Sequence, residues 1–126
     1  VITPEAVESA CVLWAFGTLI GNTDMHSGNL SCMSEAGRPY SLAPAYDMTP
    51  MVFAPTTGGD IPVRELQLNI GDQVSPRHWH QALAMAQEFV RRLQNTARLS
   101  EAFAPCFAQL QQHVTIATER IGRLAL

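Results

Sequence analysis

At three places along this chain an apolar, helix-spaced run is preceded by a hydroxyl residue with proline or glutamate directly after it: Thr3-Pro4-Glu5, Ser75-Pro76 and Ser100-Glu101. A hydroxyl oxygen can accept from the free N–H groups of a first helical turn. Proline suits the first helical position because its missing N–H has no partner there anyway. Behind the first start, Ala6, Val7, Ala10, Cys11, Leu13, Trp14, Gly17 and Ile20 fall at mixed three- and four-residue spacing, thickened by Val12 and Phe16. A stripe that wide predicts a helix buried on more than one side. The second run carries Trp79, Leu83, Met85, Ala86, Phe89, Val90 and Leu93 to about Asn95. The third places Phe103, Phe107, Leu110, Val114, Ala117, Ile121 and Leu124 on one face, with Pro105 expected to restart or kink it.

The chain between the first two helices has a different character. Gly21-Asn22-Thr23-Asp24 are turn formers, and the polar run through Asn29 has no periodicity, which predicts a loop whose side chains have a task. Leu30 to Met33 and Pro39 to Ala43, separated by Ser34-Glu35-Ala36-Gly37-Arg38, suit a small hairpin with a glycine-containing turn. A second loop begins at Ala45-Tyr46-Asp47. From Met48 to Val63, Pro50, Pro55, Pro62 and the tip Thr56-Thr57-Gly58-Gly59-Asp60 predict an irregular segment, and a loop that long in a compact domain usually serves a function. Leu66, Leu68 and Ile70 then alternate as a short strand would. The fold class expected is α+β, mainly α-helical, with one small hairpin.

Composition bounds what such a domain can do. At 126 residues the chain has room for one core. The eight basic residues are all arginines and the net charge is −3, so the clustered cations that bind nucleic acid are missing. Cys11, Cys32 and Cys106 are odd in number and far apart, which predicts free thiols in a reducing cytoplasm rather than a disulfide framework or a metal site. The apolar stretch from Ala10 to Ile20 is too short to span a bilayer and no basic region precedes it, so no membrane association is expected. Only 15% of residues are charged against 47% apolar, low in charge for an isolated small globule. With Val1 opening almost directly onto a helix start, this predicts a piece of a longer protein that keeps apolar surface for the rest of it.

The chemistry concentrates in Gly21-Asn22-Thr23-Asp24-Met25-His26-Ser27-Gly28-Asn29 and in Asp47, which a returning hairpin can bring beside them. Two carboxylates and an amide offer hard oxygen ligands for a divalent cation and one carboxylate to orient a hydroxyl. Phosphoryl transfer uses those parts, because positioning and charge neutralisation do most of its catalysis. On this reading Asp24 is the base, and Asn29 and Asp47 hold Mg²⁺ with nucleotide phosphates. Other features read as structural. His78-Trp79-His80 puts two histidines on different sides of a surface helix start with no third ligand, and Arg91, Arg92 and Arg98 form a solvated face. Ser27 and Ser31 lie near His26, but no G-x-S-x-G elbow supports a hydrolase.

The spacing D-x-x-x-x-N, then strand, turn, strand and Asp, resembles the catalytic and metal loops of protein-kinase-like folds. With His26 it becomes D-x-H-x-x-N, similar to aminoglycoside phosphotransferases, lipid kinases and HipA-type serine/threonine kinases. The fuller G-N-x-D-x-H-x-x-N-x-S, with Leu42-Ala43-Pro44-Ala45-Tyr46-Asp47 downstream, most resembles the C-terminal domain of HipA-family toxins, clearly from about Ala10 to Met51. That resemblance implies the C-lobe part of a protein-kinase-like fold, with residues 1–126 forming that part. It makes Asp24 the catalytic base, His26 a brace of the catalytic loop, and Asn29 and Asp47 ligands of Mg²⁺ and thereby of ATP. Tyr46 would pack in the metal loop much as phenylalanine does in D-F-G kinases. It further implies an N-terminal nucleotide-clamping part outside this chain, which without a lysine cannot clamp ATP itself. A protein substrate is implied too, and for some family members an antitoxin partner. A catalytically silent kinase-fold module and a small-molecule phosphotransferase are the competing readings.

Overall fold

The structure, a computed structural model, describes residues 1–61 and 64–126, the side chain of Ser27 excepted. Pro62 and Val63, the end of the expected irregular segment, lie outside the described residues. Among the described residues there are three α-helices, α1 (Pro4–Ile20), α2 (Pro76–Gln94) and α3 (Ala104–Gly122). A single two-stranded antiparallel sheet joins β1 (Cys32–Met33) to β2 (Ser41–Leu42). The mainly helical α+β expectation therefore holds. No helix among the described residues is long and apolar enough to cross a membrane.

Helix α1 starts where the sequence places it. Thr3 Oγ1 accepts from the N–H of Ala6 at 3.1 Å, and Gly21 closes the helix with a left-handed φ of 77°. From Ala10 to Asn22 no residue is exposed, because α2 and α3 both pack on α1. The core runs through Val12, Ala15, Leu19 and Ile20 of α1, Trp79, Leu83 and Ala86 of α2, and Leu110, Val114 and Ile121 of α3. Edge-on aromatic pairs Trp14–Trp79 and Phe16–Phe89 bind α1 to α2 at centroid separations of 6.0 and 6.1 Å.

Three expectations need correction. The hairpin ladder is shorter than Leu30–Met33 with Pro39–Ala43. Its register pairs Cys32 with Leu42 and Met33 with Ser41, the Ala43 N–H adds one bond to the Ser31 carbonyl at 2.7 Å, and Tyr40 instead exchanges backbone bonds with Val1 and Thr3. Leu66, Leu68 and Ile70 form no strand. They alternate half-buried with exposed neighbours, as the pattern requires, but pack straight onto the helical core, and the Leu68 carbonyl accepts from Arg120 Nη1 at 3.3 Å. The start of α2 is not a surface feature either, since His78 and Trp79 are 6% and 1% exposed. Ser100-Glu101 opens a 3-10 turn, Glu101–Phe103, and Pro105 then stands in the first turn of α3, as a helix restart requires.

What secures the start of α2 is an acid from α1. The Ser75 N–H donates to His78 Nδ1 at 3.3 Å, which leaves the ring proton on Nε2, and Nε2 donates to Glu8 at 2.8 Å. Histidine here fills the third-position role usually taken by Glu or Gln. The described residues contain no third ligand that would make His78 and His80 a metal clip, and His80 Nε2 lies 3.3 Å from the Leu124 carbonyl instead.

Candidate functional site

The loop from Gly21 to Asn29 is anchored where it leaves α1. Gly21 must be glycine on two counts: its φ is positive, and a Cβ there would come within 2.6 Å of Val52 Cγ1 and 2.7 Å of Leu66 Cδ2. Its carbonyl accepts from the Val52 N–H at 2.9 Å, so the chain beyond Asp47 returns to the end of α1. Gly17, one turn earlier, leaves room for Met25, since a Cβ there would overlap the thioether. Methionine suits such a gap because its side chain adapts to irregular space.

Inside the loop the polar groups bond to one another. Asn29 Nδ2 donates to the Asp24 carbonyl at 2.8 Å, while Asn22 Oδ1 accepts from the Asp24 N–H at 3.1 Å. His26 turns back on its own loop, where Nδ1 accepts from the Gly28 N–H at 3.1 Å and Nε2 lies 3.9 Å from Asp24 Oδ1. A Cβ on Gly28 would meet that ring at 2.8 Å, so glycine is what lets the imidazole close. A 3-10 turn, Ser27–Asn29, completes the loop, and the Asn29 N–H donates to the His26 carbonyl at 3.0 Å.

The second loop meets the first. Tyr46 Oη donates to the Gly28 carbonyl at 3.0 Å and lies 3.0 Å from Ser31 Oγ. On the other side of Asp47, Met48 Sδ accepts from Asn22 Nδ2 at 3.3 Å. Asp47 itself is exposed and has φ 58°, the only left-handed backbone found at a non-glycine residue among those described. That conformation costs about 1–2 kcal/mol for a residue with a Cβ, though aspartate tolerates it better than most. Tyr46 does not pack inward as the D-F-G comparison implies. It is 44% exposed and works through its hydroxyl.

Between the loops and α1 lies a cavity of about 290 Å³. Asn29, Asp47 and His26 reach it from the loops, and Ala10, Leu13 and Trp14 from α1. Asn29 and Asp47 therefore share one cavity, whereas Asp24 is not among its lining residues and keeps its side chain 58% exposed. Bonding of Asn29 Nδ2 to Asp24 leaves the amide oxygen as the atom free to bind a cation. Asn29 Oδ1 and the Asp47 carboxylate are hard oxygen donors of the kind that could hold a divalent cation. No group of three or more His, Cys, Asp or Glu among the described residues could hold a metal alone.

The motif assigned no role to Asn22 and a packing role, not a hydrogen-bonding one, to Tyr46 of this junction. The signal was the position of each, one within the turn before Asp24 and one directly before Asp47. Ser31 pairs with Tyr46 rather than with His26, and the Ser27 side chain lies outside the described residues. Arg91 and Arg92 both bond Glu88 on a solvated face as expected, and those guanidinium groups, Arg91 first, hold the Glu88 carboxyl down to about 2.

Residues 2–115 match the family model described as the HipA-like C-terminal domain. The chain is also similar to a protein of Escherichia coli (strain K12) named Toxin YjjJ, at 36% identity over 124 residues. That alignment covers 98% of this chain and 28% of the relative, so the chain spans little more than a quarter of the relative's length. No solved structure matches. With nearly its whole length inside the family model, the chain belongs to the HipA-like C-terminal domain family.

Proposed function

We propose that this chain supplies the catalytic and metal loops of a HipA-type serine/threonine kinase, whose intact form transfers the γ-phosphate of ATP to a protein hydroxyl and acts as a toxin. The observation that carries the reading is the junction of the loops. Asn29 and Asp47 line one cavity, and the Asn29 amide is bonded to the backbone of Asp24. Family membership and the name of the E. coli relative support the toxin role. On the same reading the chain forms part of a kinase C-lobe, and the relative's greater length leaves room for the nucleotide-clamping part and for contacts with an antitoxin.

Mg²⁺, when bound, neutralises charge on the β and γ phosphates. Asn29 Oδ1 and the Asp47 carboxylate would hold it from the protein side. The exposed Asp24 carboxylate accepts a hydrogen bond from the substrate hydroxyl, orients it for attack and takes its proton as the new O–P bond forms and the bond from the γ-phosphorus to the bridging oxygen breaks, releasing ADP. His26, folded onto the Gly28 N–H, keeps the segment between Asp24 and Asn29 in one shape. The chain has no lysine for ATP phosphates, so on this reading the segment is inactive alone.

The test is ATP–Mg²⁺-dependent transfer by the intact parent protein, wild type against Asp24→Asn, with label separated into protein and small-molecule fractions. Label on protein in the wild type alone is the expected result. Label on a metabolite would make it a small-molecule phosphotransferase, and binding of Mg²⁺–ATP without transfer would make it a silent module.

A further inference from the structure

We infer that Asn22 and Tyr46 are positioning residues that clamp Asp47, from both sides, to the loop bearing Asp24 and Asn29, so that the two loops move as one body. The inference rests on the kinase reading for its consequence but not for its geometry. Asp47 sits in a left-handed conformation with an exposed side chain, and such backbone persists where the surroundings over-determine it. The residues on either side of it supply that constraint. Tyr46 reaches the Gly28 carbonyl, next in sequence to Asn29, and Met48 receives the Asn22 amide.

Asn22 is suited to the task by its burial and its anchorage. It is 6% exposed, and its backbone N–H donates to the Gly17 carbonyl at 2.8 Å, so it is fixed to the end of α1. Its oxygen holds the Asp24 N–H while its nitrogen holds Met48, so one amide touches both loops. A thioether is a weak acceptor. The Asn22–Met48 bond therefore sets direction more than strength, and the Tyr46 hydroxyl is the stronger clamp. With both in place, the distance between the Asp47 carboxylate and the Asn29 amide is set before any ligand arrives, which is what preorganisation of a binding pair requires.

The test uses the intact protein with two conservative variants. Tyr46→Phe removes one hydroxyl, and Asn22→Asp keeps the acceptor for Asp24 but removes the donor to Met48. Amide hydrogen exchange is followed without nucleotide, and half-saturating Mg²⁺ for ATP binding is measured separately. In Tyr46→Phe, exchange should quicken about fivefold in both loops, 22–31 and 45–49, with α1, α2 and α3 unchanged. Asn22→Asp should do the same to a smaller degree. Half-saturating Mg²⁺ should rise several-fold in both variants, with kcat returning near the wild-type value at high Mg²⁺. Exchange that quickens only around the substituted residue would overturn the clamp. A wild type that binds no Mg²⁺–ATP would instead sink the kinase reading, leaving the exchange result to decide the coupling.

Discussion

The Glu8 carboxylate accepts a 2.8 Å hydrogen bond from His78 Nε2, joining the second turn of α1 to the start of α2. Arg77 Nη2 occupies its other oxygen at 2.7 Å. The far end of α1 carries the loop of Asp24, so this contact fixes the helix that aims the site.

The bonds from His78 and then Arg77 hold the Glu8 carboxyl below its ordinary 4.5. A depressed carboxyl stabilises the fold above its unfolded value and loses that contribution as pH falls through the folded one. Glu8→Gln should therefore melt lower than wild type at pH 7, with the gap narrowing below pH 4.5. Circular dichroism melts across that range check it, and a gap unchanged down to pH 3 would remove the carboxylate's charge from the account.

Ligand and base should separate by substitution in the intact protein. Asp24→Asn is expected to cut kcat about 10²- to 10⁴-fold while leaving Mg²⁺–ATP affinity within a few-fold. Asp47→Asn keeps a residue that tolerates the left-handed backbone, so it should fold normally yet lose about tenfold or more in Mg²⁺–ATP affinity. Calorimetric titration with kinetics distinguishes them. Equal losses of affinity would mean the roles are wrongly assigned.

Two glycines with similar positive φ offer a test of packing against strain. Gly21 has φ 77° with Val52 and Leu66 crowding the missing Cβ, while Gly37 has φ 85° with nothing within 4 Å. Gly21→Ala should cost about 3 kcal/mol, from strain and overpacking together, and Gly37→Ala only about 1. Urea unfolding measures both, and similar costs would show that the crowding at Gly21 relaxes.

Burial pushes the His113 ring below its usual value, against the opposing effect of its contact with the Thr18 carbonyl, 3.3 Å from Nε2. The unfolded chain then takes up this proton first, so stability falls as pH drops below about 6.5. His113→Gln should flatten the decline between pH 7 and 5 relative to wild type in thermal melts. An unchanged slope would place the pH dependence on other groups.

Much of the site was legible in the residues themselves. The segment from Gly21 to Asn29 bonds to itself over two to five residues, so its composition already encodes most of its shape. The alternation at Leu66, Leu68 and Ile70 was legible as burial but not as structure, because a strand needs a partner and none pairs with it among the described residues. His78 looked exposed because the acid that receives it lies 70 residues away.

By itself the sequence determined the helices, the loop between α1 and β1 and the identity of the chemical groups, since caps, prolines, glycines and periodicity act within a turn or two. The tertiary structure alone decided that Asp47 lines the same cavity as Asn29 and that Tyr46 uses its hydroxyl rather than its ring. It alone decided too that one asparagine touches both loops. Those relations depend on how α1 and the hairpin pack together, and no local rule specifies which distant backbone a side chain will meet.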